Sequence, residues 1–335
     1  MEAIEMLREK ARKSSAKIVL PEGGEERIIQ AAVYISKEKI AKTILLGPVS
    51  NIEKALSEKG ADMKEIEIID IKDSSLLDKY IDTFYELRKH KSISKDDAKN
   101  TVLGNPVYFG ALMARDGLAD GFVAGAVNTT RDVARAAIWC IGLDENITTM
   151  SSSFVMVLPD KNFGANGIFV FADCGIIPYP SPEQLASIAI TSGVLLNILF
   201  GAKPKVAMLS FSTKGSGKIP ETEKIIRAIE IVKKTVPELI IDGELQVDAA
   251  LVPEIAKIKA PQSPLKGQAN VLIFPNLEAG NISYKLTQRL AKGRALGPLL
   301  HGLAVPCSDL SRGCNWEDVV DIVAVTALRH AHKSK

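Results

Sequence analysis

The residues best suited to chemistry lie in one short stretch near the C-terminus, residues 308–318. A lone arginine, Arg312, stands there among small residues that include Ser311, just before the last predicted helix. A hydroxyl, a guanidinium and the amides of a helix N-terminus together suit a phosphate or acyl-phosphate group. Asn315 is a predicted N-cap, which puts Asp318 in the first helical turn. Asp318 could act in chemistry or only complement the helix dipole, and the spacing alone leaves both interpretations open.

Other motifs are weaker. The Gly-rich stretch 212–218 looks like a phosphate loop, but Ser212 replaces the first glycine of a Walker motif and Ile219 replaces its final hydroxyl residue. It predicts either a plain loop after a strand or an anion-friendly turn. Residues 121–125 lack the G-x-G-x-x-G pattern of dinucleotide sites. The histidines have no metal-site spacing, and no G-x-S-x-G elbow occurs. The sequence therefore predicts no metal.

Composition limits the classes of partner. The chain has 335 residues, 46% hydrophobic and 24% charged, which favours a globular protein of two domains. Its net charge of +2 supplies no field that would attract nucleic acid or a membrane. The 4 cysteines form no C-x-x-C pair, as is usual for reduced thiols. No signal peptide is evident and no apolar run reaches ~18 residues, so we expect a cytoplasmic protein.

Short apolar runs alternate with longer amphipathic ones, which predicts an α/β fold with mostly parallel sheets. The predicted strands are 17–20, 43–46, 66–69, 121–126, 154–158, 167–171, 206–209, 271–275 and 299–300. A hairpin loop is expected at 161–164, and a helix that begins after Ser181 and ends at Gly201. The last helix is expected from about Trp316 to His330. Ligands of parallel sheets bind at the carboxyl ends of the strands.

Several longer blocks resemble the phosphate acetyltransferases. They are Asp309–Cys314 with the acid at Asp318, 243–250, 259–264, 269–275, 279–285 and 288–291. Matching blocks run from Leu20-Pro21-Glu22 to the final helix, so the resemblance covers nearly the whole chain. Long blocks in one order are more specific than any short motif.

The resemblance implies reversible transfer of an acetyl group between acetyl phosphate and coenzyme A. In the family the catalytic arginine and aspartate are six residues apart, which matches Arg312 and Asp318. Asp318 would take the proton of the coenzyme A thiol, Arg312 would stabilise the phosphate and the transition state, and Ser311 would add a hydrogen bond. Coenzyme A is a substrate here, so no cofactor is implied.

Family positions that bind substrate map onto Arg88 and Arg135. Guanidinium groups suit both substrates, since coenzyme A and acetyl phosphate are polyanions. Without the resemblance, both arginines would be interpreted as parts of solvated helix faces. Asn281, Tyr284 and Lys285 would line the same cleft from the other lobe.

The implied architecture is two α/β/α lobes with the active-site cleft between them. The first lobe would comprise residues 1–148 plus 298–335, and the inserted second lobe residues 149–297. The family is usually dimeric, which implies a homodimer. Two residues depart from the family pattern, Asn128 and Ala136, which stand where many relatives carry histidine and proline.

Three other functions are compatible with parts of the sequence. A phosphate butyryltransferase would share the fold and the chemistry. This alternative stays open because the residues that set the width of the acyl pocket cannot be placed from the sequence. A non-catalytic acetyl-CoA-sensing module, like the C-terminal portion of some malic enzymes, would not need the retained Ser311, Arg312 and Asp318. A nicotinamide-dependent dehydrogenase is disfavoured by the missing glycine pattern.

Overall fold

A computed structural model describes residues 2–145 and 147–333, and its contacts divide the chain into two compact units. Unit 1 comprises residues 1–148 and 303–335, and unit 2 comprises residues 149–302. The sequence placed the return to the first lobe at residue 298. Leu299–His301 pair with Ser151–Ser153 inside unit 2, and by contacts the chain returns to unit 1 at Leu303.

Unit 1 is built on parallel strands in the order β3-β2-β1-β4-β11. These strands are β1 (Lys17–Leu20), β2 (Lys42–Leu46), β3 (Ile66–Ile69), β4 (Gly121–Ala124) and β11 (Cys307–Asp309). The strands in the middle of the order are short apolar runs, as expected where helices cover both faces of a parallel sheet. Their carboxyl ends meet at one edge, where β11 leads into the stretch 310–315.

The helices of unit 1 connect these strands and cover the sheet. They are α1 (Glu2–Arg12), α2 (Glu26–Glu38), α3 (Val49–Glu58), α4 (Leu77–Arg88), α5 (Lys95–Gly104), α6 (Pro106–Arg115), α7 (Thr130–Ala136) and α13 (Trp316–Lys333). Two adjacent residues of β1 show how they are arranged. Ile18 approaches Gly121 beside Thr326 of α13, whereas Val19 approaches Gly110 of α6. Successive strand residues point to opposite faces, so α13 and α6 cover opposite sides of the sheet.

Unit 2 contains strands in the order β10-β5-β6-β9-β7-β8. They are β5 (Ser151–Val157), β6 (Ile168–Ala172), β7 (Lys205–Leu209), β8 (Ile240–Leu245), β9 (Val271–Ile273) and β10 (Arg294–His301). The pairs of β5 with β10 and with β6 are antiparallel, and the other pairs are parallel. The antiparallel β5–β6 pair confirms the hairpin predicted around 161–164. Mostly parallel pairing in both units confirms the predicted fold class.

The helices of unit 2 are α8 (Pro182–Phe200), α9 (Pro220–Thr235), α10 (Val247–Leu251), α11 (Pro253–Lys259) and α12 (Leu277–Leu290). Among the described residues, α8 is long and apolar enough to cross a membrane by length and composition, but half of that window is buried within the protein. It packs on α9 and on β6, β7 and β9, as a core helix does. Its ends confirm the prediction: Ser181 and Gln184 form a capping box, and Gly201 closes the helix at φ 64°.

Two local features were not predicted. Helix α7 changes at Ala136 into a π-helical turn, Ala137–Ile141. Such turns are rare and occur often at functional sites. The strand that leads into the 310–315 stretch is β11 rather than the strand near Leu299, which is β10.

Candidate active site

The loop 310–315 joins β11 to α13 at the carboxyl edge of the unit 1 sheet. Ser311, Arg312 and Gly313 are exposed, whereas Cys314 is buried. The amide of Gly313 donates to Ser311 Oγ at 3.2 Å, and the amide of Cys314 donates to the Ser311 carbonyl at 2.9 Å. This turn leaves Ser311 and Arg312 exposed on a hydrogen-bonded backbone. We call residues 310–315 the arginine loop.

Asp318 is held at the start of α13 by reciprocal capping. The Asp318 amide donates to Asn315 Oδ1 at 2.8 Å, and the Asn315 amide donates to Asp318 Oδ2 at 3.1 Å. Asn315 is therefore the N-cap that the sequence predicted, and Asp318 is the third helical residue. The contact fixes the carboxylate beside the helix N-terminus. It gives Asp318 a structural role, and its catalytic role stays a prediction.

Arg27, near the start of α2, anchors the arginine loop through the backbone carbonyl groups of that loop. Its Nη1 donates to the Arg312 carbonyl at 2.8 Å and to the Cys314 carbonyl at 3.1 Å. Its Nη2 donates to the Ala126 carbonyl at 2.8 Å, and its Nε to Glu25 at 2.6 Å. One guanidinium thus ties the arginine loop to the loop that follows β4. A planar guanidinium with five donors can join several acceptors in this way at fixed angles.

Glu22, at the end of β1, shapes the loop after β4. Its carboxylate accepts from the backbone amides of Gly125, Ala126, Val127 and Asn128 at 2.7–2.9 Å. Asn128 also donates to Glu22 from its side chain at 2.8 Å and accepts from Asn105 at 2.8 Å. Successive amides around one carboxylate form a closed anion nest. The departure at Asn128 is therefore part of the network that fixes this loop.

Asp309, the last residue of β11, is fully buried beside the same loop. Its Oδ2 accepts from Thr130 Oγ1 at 2.6 Å, whereas Oδ1 has no partner among the described residues. Burial, with a smaller contribution from the charge of Glu22, raises the pKa of Asp309 to about 7, although the hydrogen bond from Thr130 opposes the rise. Gly125 makes the approach possible: its φ is +114°, and a Cβ there would lie 2.2 Å from Asp309 Oδ1.

Arg88 and Arg135 meet around one aromatic ring. The guanidinium carbon of Arg88 lies 4.2 Å from the ring centroid of Trp139, and that of Arg135 lies 5.5 Å from it. Arg88 ends α4, Arg135 lies in the last turn of α7, and Trp139 lies in the π-helical turn. Arg135 also has Asp132 at 3.6 Å. The structure therefore brings the two arginines together. Their binding of substrate stays a prediction.

The predicted residues of unit 2 lie on α12 and contact their own unit. Asn281 donates to the Cys174 carbonyl at 3.0 Å. Tyr284 stacks on Phe154 with centroids 4.0 Å apart and planes 15° apart, and Lys285 lies 5.6 Å from the Tyr284 centroid. All three side chains thus have a contact inside unit 2. Their contribution to a substrate site stays a prediction.

Comparison with known proteins identifies the family. Residues 2–327 match the family described as phosphate acetyl/butaryl transferase. The phosphate acetyltransferase of Thermoanaerobacterium thermosaccharolyticum is 49% identical over 98% of this chain and 99% of its own length. That of Acetivibrio thermocellus is 47% identical over 98% of both chains. A solved phosphotransacetylase from Streptococcus pyogenes superposes with a TM-score of 0.92 at 40% identity, and covers 99% of this chain and 98% of its own.

The chain belongs to the phosphate acetyl/butaryl transferase family. The family resemblance read from the sequence is confirmed, as is the expectation of a transferase. A nicotinamide-dependent dehydrogenase is thereby set aside. So is a non-catalytic sensing module, since these relatives are transferases along their full length.

The Gly-rich stretch 212–218 of this family member follows β7 and precedes α9, where a phosphate loop would lie. Its donors are used internally. Ser212 Oγ donates to Glu244 Oε1 at 2.9 Å, and the Gly215 amide donates to the same oxygen at 2.7 Å. The Gly217 amide donates to Ser212 Oγ at 2.9 Å. The structure thus supports the plain-loop interpretation of this motif.

Three residues of the site were not predicted from the sequence: Arg27, Glu22 and Trp139. Glu22 stood inside a matched block, but nothing near it in sequence predicts bonds to amides about one hundred residues away. Arg27 looks like any arginine of an amphipathic helix. For Trp139 the usable signal was its spacing of four residues from Arg135, which places the two side chains on one helical face.

Among residues 2–145 and 147–333, no group of three or more His, Cys, Asp or Glu is arranged to hold a metal ion.

Proposed function

We propose that this protein catalyses reversible transfer of an acetyl group between acetyl phosphate and coenzyme A. The observation that carries the proposal is the full-length match to phosphate acetyltransferases, 49% identical over 98% of the chain. The exposed arginine loop and the Arg88–Arg135 pair support it, since guanidinium groups suit a phosphate-bearing substrate. The carboxylate of Asp318 supports it as a group that can accept the proton of a thiol. The partners are small molecules, and no metal or resident cofactor takes part.

In the proposed mechanism both substrates bind before chemistry occurs. The thiol of coenzyme A gives its proton to the Asp318 carboxylate, and the sulfur attacks the acetyl carbonyl carbon. The carbon–oxygen bond to phosphate then breaks, and phosphate leaves with the electron pair. Arg312 stabilises the charge on the phosphate and on the carbonyl oxygen, and Ser311 donates a hydrogen bond. Arg88 and Arg135 hold phosphate groups of the substrates.

Thioester formation with purified protein, coenzyme A and acetyl phosphate tests the function. Saturable turnover that depends on both substrates supports it, and no thioester above the rate without enzyme contradicts it. Butyryl phosphate belongs in the same experiment, because the family description includes butyryl transfer. A higher kcat/KM for butyryl phosphate would keep the mechanism and change the substrate.

We propose a homodimer as the working form. Helix α12 carries Ile282, Leu286 and Leu290 on one stripe, with exposed fractions of 57, 53 and 79%. An exposed apolar stripe with four-residue spacing is typical of a helix that packs against a partner. Sedimentation of the wild type and of Leu286→Glu tests it: we expect a dimer and a shift toward monomer. A monomeric wild type contradicts the proposal.

We propose a cytoplasmic location. All four cysteines are free and buried, as expected of a protein kept in a reducing compartment. Fractionation of the source cells tests it, and recovery with the secreted proteins would contradict it.

A further inference from the structure

Trp139 stands where three helical segments of unit 1 converge. Its ring lies 6.3 Å from that of Phe84 in α4 and 6.2 Å from that of Tyr108 in α6. Phe84 and Tyr108 are themselves in edge contact at 5.6 Å, and both are buried. The indole is therefore wedged against a fixed aromatic cluster, which sets its orientation.

Both arginines lie within the ~6 Å range in which a cation is attracted by an aromatic ring. They reach the indole from different helices, at 4.2 Å for Arg88 and 5.5 Å for Arg135. Among the residues described, Arg88 has no carboxylate within 4.0 Å, whereas Arg135 has Asp132 at 3.6 Å. Burial raises the pKa of Tyr108, while the nearby positive charge of Arg135 opposes that rise.

The nature of this contact matters for binding. A carboxylate that positions an arginine also neutralises it and occupies its N–H donors. An aromatic ring attracts the guanidinium through its face and leaves those in-plane donors available. Two half-buried guanidinium groups on one ring repel each other, and a bound anion relieves that repulsion. The arrangement therefore favours a phosphate group over a neutral ligand.

We infer that Trp139 is a positioning residue whose indole holds Arg88 and Arg135 in the geometry that binds a phosphate group of the substrate. The inference rests on the proposed function only for the identity of that substrate. Trp139 itself makes no contact with reacting atoms. Its removal should weaken substrate binding and leave the chemical step in place.

Steady-state kinetics of Trp139→Leu and Trp139→Phe test the inference. We expect Trp139→Leu to raise KM for an anionic substrate by about tenfold with kcat within about threefold, because two cation–π contacts are lost. Trp139→Phe retains a ring face and should recover most of the wild-type KM. Ile138→Ala, an exposed neighbour in the same π-helical turn, is the matched control and should keep the wild-type KM.

The inference is overturned if Trp139→Leu keeps the wild-type KM, or if Trp139→Phe is as impaired as Trp139→Leu. If Trp139→Leu only damaged the structure, kcat and the unfolding midpoint would both fall, and the effect would not be confined to KM. Combining Trp139→Leu with Arg88→Met adds a second readout. We expect the combined rise in KM to be smaller than the product of the single effects, because the variants remove a shared contact. A full product would contradict the inference.

A binding measurement separates this inference from the proposed function. The chain has 2 tryptophans, so Trp139 is the sole indole in a Trp316→Phe background. We expect inorganic phosphate to change its fluorescence saturably, and Arg135→Met to abolish the change. This titration needs no turnover. If the wild type transferred no acetyl group, the proposed function would fail. A saturable fluorescence response to phosphate would still support the role of Trp139. A flat fluorescence response would overturn that role.

Discussion

Two loops of this protein carry glycine, serine and a cationic side chain before a helix, but they are opposites in structure. In the Gly-rich loop of unit 2, residues 212–218, Ser212 and the Gly215 amide bond to the buried Glu244. In the arginine loop of unit 1, Ser311, Arg312 and Gly313 are exposed, and the anchoring contacts come from behind through Arg27. The first loop uses its hydroxyl and amide donors to stabilise the fold, whereas the second exposes the side chains of Ser311 and Arg312.

The difference shows that composition alone does not make an anion site. A backbone nest binds whichever carboxylate is nearest, and in a folded chain that carboxylate is often internal. Glu244 fills the nest of the Gly-rich loop, as Glu22 fills the one formed by residues 125–128. What distinguishes the arginine loop is that its carboxylate contact, from the Asn315 amide to Asp318, lies at the start of α13 and leaves Ser311, Arg312 and Gly313 exposed.

The largest expected effects are on catalysis at the arginine loop. Arg312→Ala and Asp318→Asn should each lower kcat by roughly 10²- to 10⁴-fold, because the first removes charge stabilisation and the second the proposed base. Steady-state kinetics at saturating substrate measure the loss.

Asp318→Asn also separates the two roles of Asp318. Its side-chain oxygen can still accept from the Asn315 amide, so the unfolding free energy should stay near that of the wild type. Asp318→Ala removes the cap and should cost about 1 kcal/mol in addition. Wild-type turnover in Asp318→Asn would leave Asp318 with the capping role alone.

The next effect concerns Asp309, whose side chain lies under the arginine loop. Its pKa is about 7 in the folded protein, against about 3.9 for an unfolded aspartate. The folded state then binds the proton more tightly, so the contribution to stability is full below pH ~4 and is lost as pH rises through ~7. A shift of about 3 units corresponds to about 4 kcal/mol.

Urea unfolding of the wild type and Asp309→Asn at several pH values tests this sign. At about pH 3 the two proteins should be similar, since Asp309 is then protonated in both the folded and the unfolded state. At pH 8 Asp309→Asn should be the more stable, by up to the ~4 kcal/mol derived above. Parallel pH profiles for the two proteins would show that Asp309 does not carry the dependence.

A smaller effect is expected in the Gly-rich loop. Glu244→Ala leaves the Ser212 hydroxyl and the Gly215 amide without their acceptor and should lower the free energy of unfolding by about 2–3 kcal/mol. Glu244→Gln keeps an acceptor oxygen and should cost less. The kcat of the folded protein should not change. Lost activity at unchanged stability would mean that this loop belongs to the site after all.

The sequence predicted the parts of the molecule that depend on local patterns. Short apolar runs placed most of the strands, and Ser181 and Asn315 were recognised as helix caps from their neighbours alone. The arginine loop was found because its residues are contiguous. Glu22, Arg27 and Trp139 were missed because their partners are distant in sequence. The π-helical turn was missed because one extra residue in a helix leaves no compositional mark.

The smallest expected effect is the sharpest test of the comparison between the two loops. Lys218 occupies the position of the phosphate-binding lysine in a Walker-like reading of the Gly-rich loop, and it is exposed. If the loop is structural, Lys218→Ala should change KM for coenzyme A and acetyl phosphate less than about twofold and stability by less than about 0.5 kcal/mol. Arg312→Ala, measured beside it, gives the scale of a functional loss. A tenfold rise in KM for coenzyme A in Lys218→Ala would show that the Gly-rich loop can still bind an anion through its side chains, although an internal carboxylate occupies its amides. Exposed donors would then no longer distinguish the two loops.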